Sequence, residues 1–150
     1  VTDAYNSGDL AWVKNVVKKY LLILIPFILA GLVMLVLSDK VYELWIGKNI
    51  VHVDFIISLL CLIFFSTSMF ASIFVSVING IGALRIQFFT SIFSSIGFFV
   101  LSVILIKYFQ MGMEAIIIAS IVTNVFGYII APVQFYKIFY KRSDSAIWYR

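Results

Sequence analysis

The chain has 150 residues, 63% of them hydrophobic and only 12% charged, and a mean hydropathy of +1.11. Soluble domains carry about 25% charged residues, so this chain has too few polar groups to cover a water-facing surface, and a soluble globular protein is excluded. The net charge of +4 is then no sign of nucleic-acid binding. Basic residues beside apolar spans orient a membrane protein and touch anionic lipid.

The chain opens at Val1 without a methionine, and nothing at its front has the basic-then-apolar pattern of a signal peptide. It reads as a piece of a longer protein. Residues 1–19 form a cytoplasmic amphipathic segment. In "GDLAWVKNVVKKY" one helical face holds Leu10, Val13, Val16, Val17 and Tyr20, and the other holds Lys14, Asn15, Lys18 and Lys19. Asp9 is placed to cap this helix. The segment is expected to act as a surface anchor or as a hinge between helices.

About 20 apolar residues at 1.5 Å each carry an α-helix across the hydrocarbon. Four stretches qualify, over about residues 20–37, 55–78, 86–106 and 115–136. None shows the alternation of a transmembrane strand. The first holds Pro26 and Gly31, and the fourth holds Pro132. A proline within the membrane frees backbone groups and permits a kink, so all three residues are hinge candidates.

The first connection, "SDKVYELWIGKNIVHVD", is long, and Val41, Leu44 and Trp45 suit a short interfacial helix. The second, "NGIGALR", interrupts an oily run with Asn79, Gly80, Gly82 and Arg85. Asn-Gly followed by Gly is turn chemistry, because both residue types tolerate positive φ. A tight hairpin between antiparallel helices is expected there. The third, "KYFQMGME", is compact and is expected to turn at Gly112. Residues 137–150 form a tail.

Lysine and arginine are uneven between the two sides. Lys14, Lys18, Lys19, Arg85, Lys137, Lys141, Arg142 and Arg150 fall on one. The other has Lys40, Lys48 and Lys107, offset by Asp39, Glu43, Asp54 and Glu114. The positive-inside rule places both ends and the Arg85 hairpin in the cytoplasm.

Two rows of small residues recur at intervals of four, Ser68, Ser72, Ser76 and Gly80 in the second span and Ala115, Ala119, Thr123, Gly127 and Ala131 in the fourth. Such rows let membrane helices approach closely. The single cysteine, Cys61, lies in an apolar run and reads as a buried thiol. With one histidine, His52, in a loop, a metal site or thiol catalyst is not supported. No HExxH, phosphate-loop or G-x-S-x-G motif occurs, so no enzyme is expected, and no cofactor or metal. None of the four spans carries a charge at depth, where charges mark ion and substrate paths. Asn124, in mid-span, is expected to bond a neighbouring helix or to line a polar cavity. Asn79, Arg85 and Gln87 sit at the interface, where Arg85 and Gln87 suit a phosphate or a topological anchor.

With these residues placed, the sequence resembles the polysaccharide flippases, the O-antigen and capsule repeat-unit translocases of the multidrug/oligosaccharidyl-lipid/polysaccharide exporter superfamily. Three stretches carry the resemblance: "VTDAYNSGDLAWVKNVVKKY", "INGIGALRIQ" and "YFQMGMEAIIIASIVTN". It implies an all-α membrane fold in which these four helices are the C-terminal part of a 12-helix, MATE-like transporter. It further implies a lipid-linked oligosaccharide as substrate, flipped across a bacterial inner membrane by alternating access, with a coupling cation and the transporter's other helices as partners. The cavity charges of such transporters have no counterpart here. A drug or cation exporter of the same superfamily is the nearest alternative, and a four-helix scaffold subunit is another.

Overall fold

A computed structural model describes residues 1–48 and 54–141. The first loop's residues 49–53, with His52, and the tail residues 142–150, with Arg142 and Arg150, lie outside the described residues. The described chain is helical throughout, with no strand, and has four helices long and apolar enough to cross a membrane.

The short helix α1 (Thr2–Asn6) ends in a turn at Gly8, whose φ of +79° is a left-handed value. The Asp9 side chain then accepts a hydrogen bond from the Trp12 backbone N–H at 2.9 Å and caps α2 (Leu10–Val36), as the sequence suggests. α2 runs unbroken for 27 residues, about 40 Å at 1.5 Å per residue. That exceeds the hydrocarbon thickness of about 30 Å. From Leu10 the amphipathic segment continues without interruption into the first span, and its Val13 and Val17 are buried in the protein's core cluster. Tyr20, expected on the same face, is exposed. Pro26 sits inside α2 without ending it, on the exposed surface.

After Leu37, α3 (Ser38–Ile46) follows at once, in the stretch expected to form an interfacial helix. Its Tyr42 hydroxyl lies 3.1 Å from the Ser58 hydroxyl and fastens α3 to the second span, while Leu44 and Trp45 are almost fully exposed. The second span is α4 (Phe55–Gly80) and the third is α5 (Arg85–Lys107). The fourth is divided into α6 (Met113–Thr123), a π-helical segment (Phe126–Ile130) and α7 (Ala131–Phe139).

Two turns differ from the sequence expectation. Asn79 and Gly80 belong to the last turn of α4, and only Gly82, with φ +75°, takes a left-handed conformation in that hairpin. Gly80 is small for another reason. A Cβ there would stand 3.3 Å from the Val1 side chain, and the Gly80 carbonyl accepts the Thr2 hydroxyl at 2.7 Å. In the α5–α6 connection the left-handed residue is Gln110, with φ +53°, whereas Gly112 keeps a negative φ at the cap of α6.

α4 is central. It packs on α2 along one side and on α6, the π segment and α7 along the other, while α5 packs on α6 at the periphery. α2 and α4 pack together at Gly31, where a Cβ would come 2.5 Å from Leu62 Cδ1. The fourth-span row of small residues is buried at Ala115, Ala119, Gly127 and Ala131. The serine row of α4 is not. Ser72 and Ser76 are exposed in a cleft of about 330 Å³ beside Val16, Val17 and Tyr20 of α2. α4 meets the fourth span instead through Ala71 and Phe74, the first against Gly127 and the second against Phe135.

Burial is concentrated at one end. Val13 and Val17, Phe74, Val77, Ile78 and Ala83, and Phe135, Ile138 and Phe139 form the core there, with Tyr5 edge-on to Phe139 and Lys14 4.4 Å from the centroid of the Tyr140 ring. That end gathers α1, the start of α2, the α4–α5 hairpin and the end of α7. Elsewhere apolar side chains point outward: α5 has no buried residue, and Phe93 and Phe99 are at least 70% exposed. Such a surface fits hydrocarbon and not water. Cys61, expected to be buried, is exposed on this surface.

Candidate functional site

The break in the fourth span follows from Pro132. Proline has no N–H to donate, and its ring excludes the carbonyl four residues back from ordinary α geometry. Here that carbonyl belongs to Tyr128. The preceding turn widens to π, with the Ala131 N–H donating to the Phe126 carbonyl five residues back. On the other side of the break, α6 ends at Asn124, whose ψ of +32° leaves the helical range. The Gly127 N–H then closes a tight turn on the Asn124 carbonyl at 3.0 Å.

A helix that stops inside a membrane leaves carbonyls without donors, and hydrocarbon supplies none. The Tyr128 hydroxyl fills this gap. It reaches back seven residues to the Ile121 carbonyl at 2.8 Å and also lies 3.3 Å from the Val122 carbonyl. A tyrosine just past the break thus caps the helix just before it. Gly127 is required at this place: a Cβ would meet the Ala71 Cβ at 2.7 Å and the Asn124 Oδ1 at 2.8 Å. Asn124 itself is half-buried, and among the described residues its amide has no side-chain hydrogen-bond partner. Beside the break, α5 and the fourth span bound a cleft of about 260 Å³ that carries the hydroxyls of Thr90, Ser94 and Thr123.

The expected site residues do not form one constellation. Asn79 is exposed in the last turn of α4, and Arg85 is exposed as the first residue of α5. Gln87, two residues on, is half-buried with its Oε1 enclosed and unbonded. These three share the hairpin end. Asn124 stands apart, at the depth of α4 one turn before Ala71, about 12 Å or more along the bundle from Asn79 at 1.5 Å per residue. Of the hinge candidates, Pro132 borders the break, Pro26 lies in an unbroken helix, and Gly31 is a packing contact.

Two residues stand out that the sequence reading passed over. Gln134 is 1% exposed, and its Nε2 donates to the Ala83 carbonyl in the hairpin at 3.0 Å, tying α7 to the α4–α5 connection across 51 residues. An amide placed one turn before the buried Ile138 was its only trace in the sequence. Tyr128 is the second, and its signal was its place four residues before Pro132. Among the described residues no three His, Cys, Asp or Glu side chains converge as a metal site would require. Compared with protein-family models, with curated proteins and with solved structures, the chain finds no match.

Proposed function

We propose that this chain is the C-terminal four-helix part of a transporter that flips a lipid-linked oligosaccharide repeat unit across the bacterial inner membrane by alternating access. The observation that carries the transport reading is the break at residues 124–130, inside a membrane span. Non-helical backbone is tolerated at membrane depth only where protein or a water-filled cavity receives it, and discontinuous helices are a recurrent feature of transporters. The substrate class rests on the resemblance of the α1–α2 start, the hairpin and the α5–α6 turn to the polysaccharide flippases. The cytoplasmic placing of the hairpin end rests on its excess of lysine and arginine.

On this reading the bundle's exposed faces meet lipid and the transporter's other helices, and the coupling cation and the diphosphate are bound outside these four spans, which carry no charge at depth. Disrupting the full-length gene in its host tests the proposal. Loss of surface polysaccharide with lipid-linked repeat units accumulating inside is expected. Normal polysaccharide together with new drug sensitivity would overturn it in favour of a drug exporter.

A further inference from the structure

At the end of the bundle away from the hairpin, α2, α3 and α4 form a groove of about 270 Å³. Leu35, Ser38 and Ser58 are its buried floor, and Met34, Cys61 and Phe65 are its exposed rim. Two contacts bound it. Toward mid-membrane, Gly31 of α2 packs against Leu62 of α4, and at the opposite edge the Tyr42 hydroxyl lies 3.1 Å from the Ser58 hydroxyl. The groove therefore opens sideways, past an oily rim, onto the surface that fits hydrocarbon. From Gly31 to Ser38 it is about 10 Å long at 1.5 Å per residue.

Ser38 is what the packing leaves over. It is 9% exposed, and its hydroxyl has no hydrogen-bond partner among the described residues. Other hydroxyls in these helices satisfy themselves: those of Thr67, Thr90, Ser95 and Ser120 each donate to the carbonyl four residues back. Ser38 opens α3 and makes no such bond. A buried hydroxyl without a partner costs free energy, so the groove suits a ligand that brings an acceptor.

Depth identifies that acceptor. The apolar stretch 20–37 is about 27 Å long at 1.5 Å per residue, close to the hydrocarbon thickness of about 30 Å. Ser38, the next residue, then stands where hydrocarbon gives way to headgroups. At that level a phospholipid carries the ester carbonyls that join its acyl chains to glycerol, and these accept hydrogen bonds. The groove runs from Ser38 toward mid-membrane, the direction an acyl chain takes. A further helix is about 10–12 Å across, as wide as the groove is long, and could lend it only a side chain.

We propose that this groove binds one acyl chain of a membrane phospholipid, in the leaflet on the α3 side, and that the chain's ester carbonyl accepts a hydrogen bond from the Ser38 hydroxyl. The chain lies over Leu35 between α2 and α4 and ends where Gly31 and Leu62 close the groove. The site holds whatever the cargo, so its test is separate from the test of transport.

The experiment places the full-length protein in phosphatidylglycerol vesicles with a trace of phosphatidylglycerol that carries a diazirine on one acyl chain. Photolabelled peptides are quantified by mass spectrometry. The host lipid is either the ester form or its ether analogue, which lacks the carbonyl and competes poorly for Ser38. In the ether host, labelling at residues 31–35 and 61–65 is expected to rise about fivefold, the scale of one net hydrogen bond. Labelling at residues 93–99 of α5, which face outward without this groove, should not change. Ser38→Ala is expected to abolish the difference between hosts; a difference that survives would overturn the role of Ser38. Equal labelling of the groove in both hosts would mean bulk lipid only and overturn the site. An unlabelled groove beside a labelled α5 would mean that protein covers it, and would overturn the site as well. Loss of groove labelling on adding a small fraction of a polyprenyl phosphate would overturn the phospholipid in favour of an isoprenoid chain. All but the Ser38→Ala outcome are read on the native protein, even if that variant does not fold.

Discussion

Gly127 of the fourth span packs against Ala71 of α4, and a methyl group added to Gly127 would lie 2.7 Å from the Ala71 Cβ. The same methyl would press on the Asn124 side chain at 2.8 Å. The Asn124 amide can turn aside, but the Ala71 Cβ is fixed to its backbone, so the helices must part. Overpacking of this kind costs about 1–3 kcal/mol. Gly127→Ala is expected to lower the unfolding midpoint in detergent accordingly. Adding Ala71→Gly should recover part of the loss, because it removes one of the two clashes and leaves the other.

Gln134 is expected to matter more than its place in an oily helix suggests. Replacing it with Leu keeps the volume close but leaves the buried Ala83 carbonyl without its donor, a loss of about 1–3 kcal/mol. Thermal unfolding of Gln134→Leu should report this. A variant as stable as the parent would mean that the tie between α7 and the hairpin contributes nothing.

The α4–α5 hairpin separates two readings of "NGIGALR". The sequence assigns the turn to Asn79 and Gly80 followed by Gly82; the first two are helical, and the left-handed residue is Gly82. Gly82→Ala is therefore expected to destabilise by about 1–2 kcal/mol through backbone strain alone, since its Cβ would meet nothing within 4 Å. Asn79→Ala should be neutral or slightly stabilising by melting temperature, because alanine is the better residue inside a helix.

At the same end of the bundle, Asp9→Ala removes the side-chain cap of α2 and is expected to cost about 1 kcal/mol. Amide exchange read by mass spectrometry should rise in the peptide that contains Trp12, with little change in peptides from α5.

The four spans were legible because crossing hydrocarbon demands length and apolarity, which are properties of the sequence itself. Asp9 was legible for a similar reason, since capping is local chemistry. What escaped depends on neighbours. Pro26 and Pro132 look alike in the sequence, yet only Pro132 borders a break, beside Gly127 pressed on Ala71 and a tyrosine placed to cap the freed carbonyls. The two small-residue rows also look alike, and only that of the fourth span is buried, because α4 turns Ala71 and Phe74 to its partner and leaves Ser72 and Ser76 outside. Gln110 in a left-handed turn next to a glycine that is not is likewise set by how α5 and α6 meet. Asn79, Arg85 and Gln87 are expected at the interface and Asn124 in mid-span, and the fold likewise keeps Asn124 apart from the hairpin residues.

The whole account depends on four crossings with the hairpin and both chain ends on the cytoplasmic side, and cysteine labelling in intact cells tests this directly. In a Cys61→Ser background, Lys48→Cys at the α3 end and Leu84→Cys in the hairpin, both at exposed positions, are offered a membrane-impermeant maleimide. The account predicts labelling of Lys48→Cys in intact cells and of Leu84→Cys only after the membrane is permeabilised. Labelling of Leu84→Cys in intact cells, or the same accessibility at both positions, would contradict it.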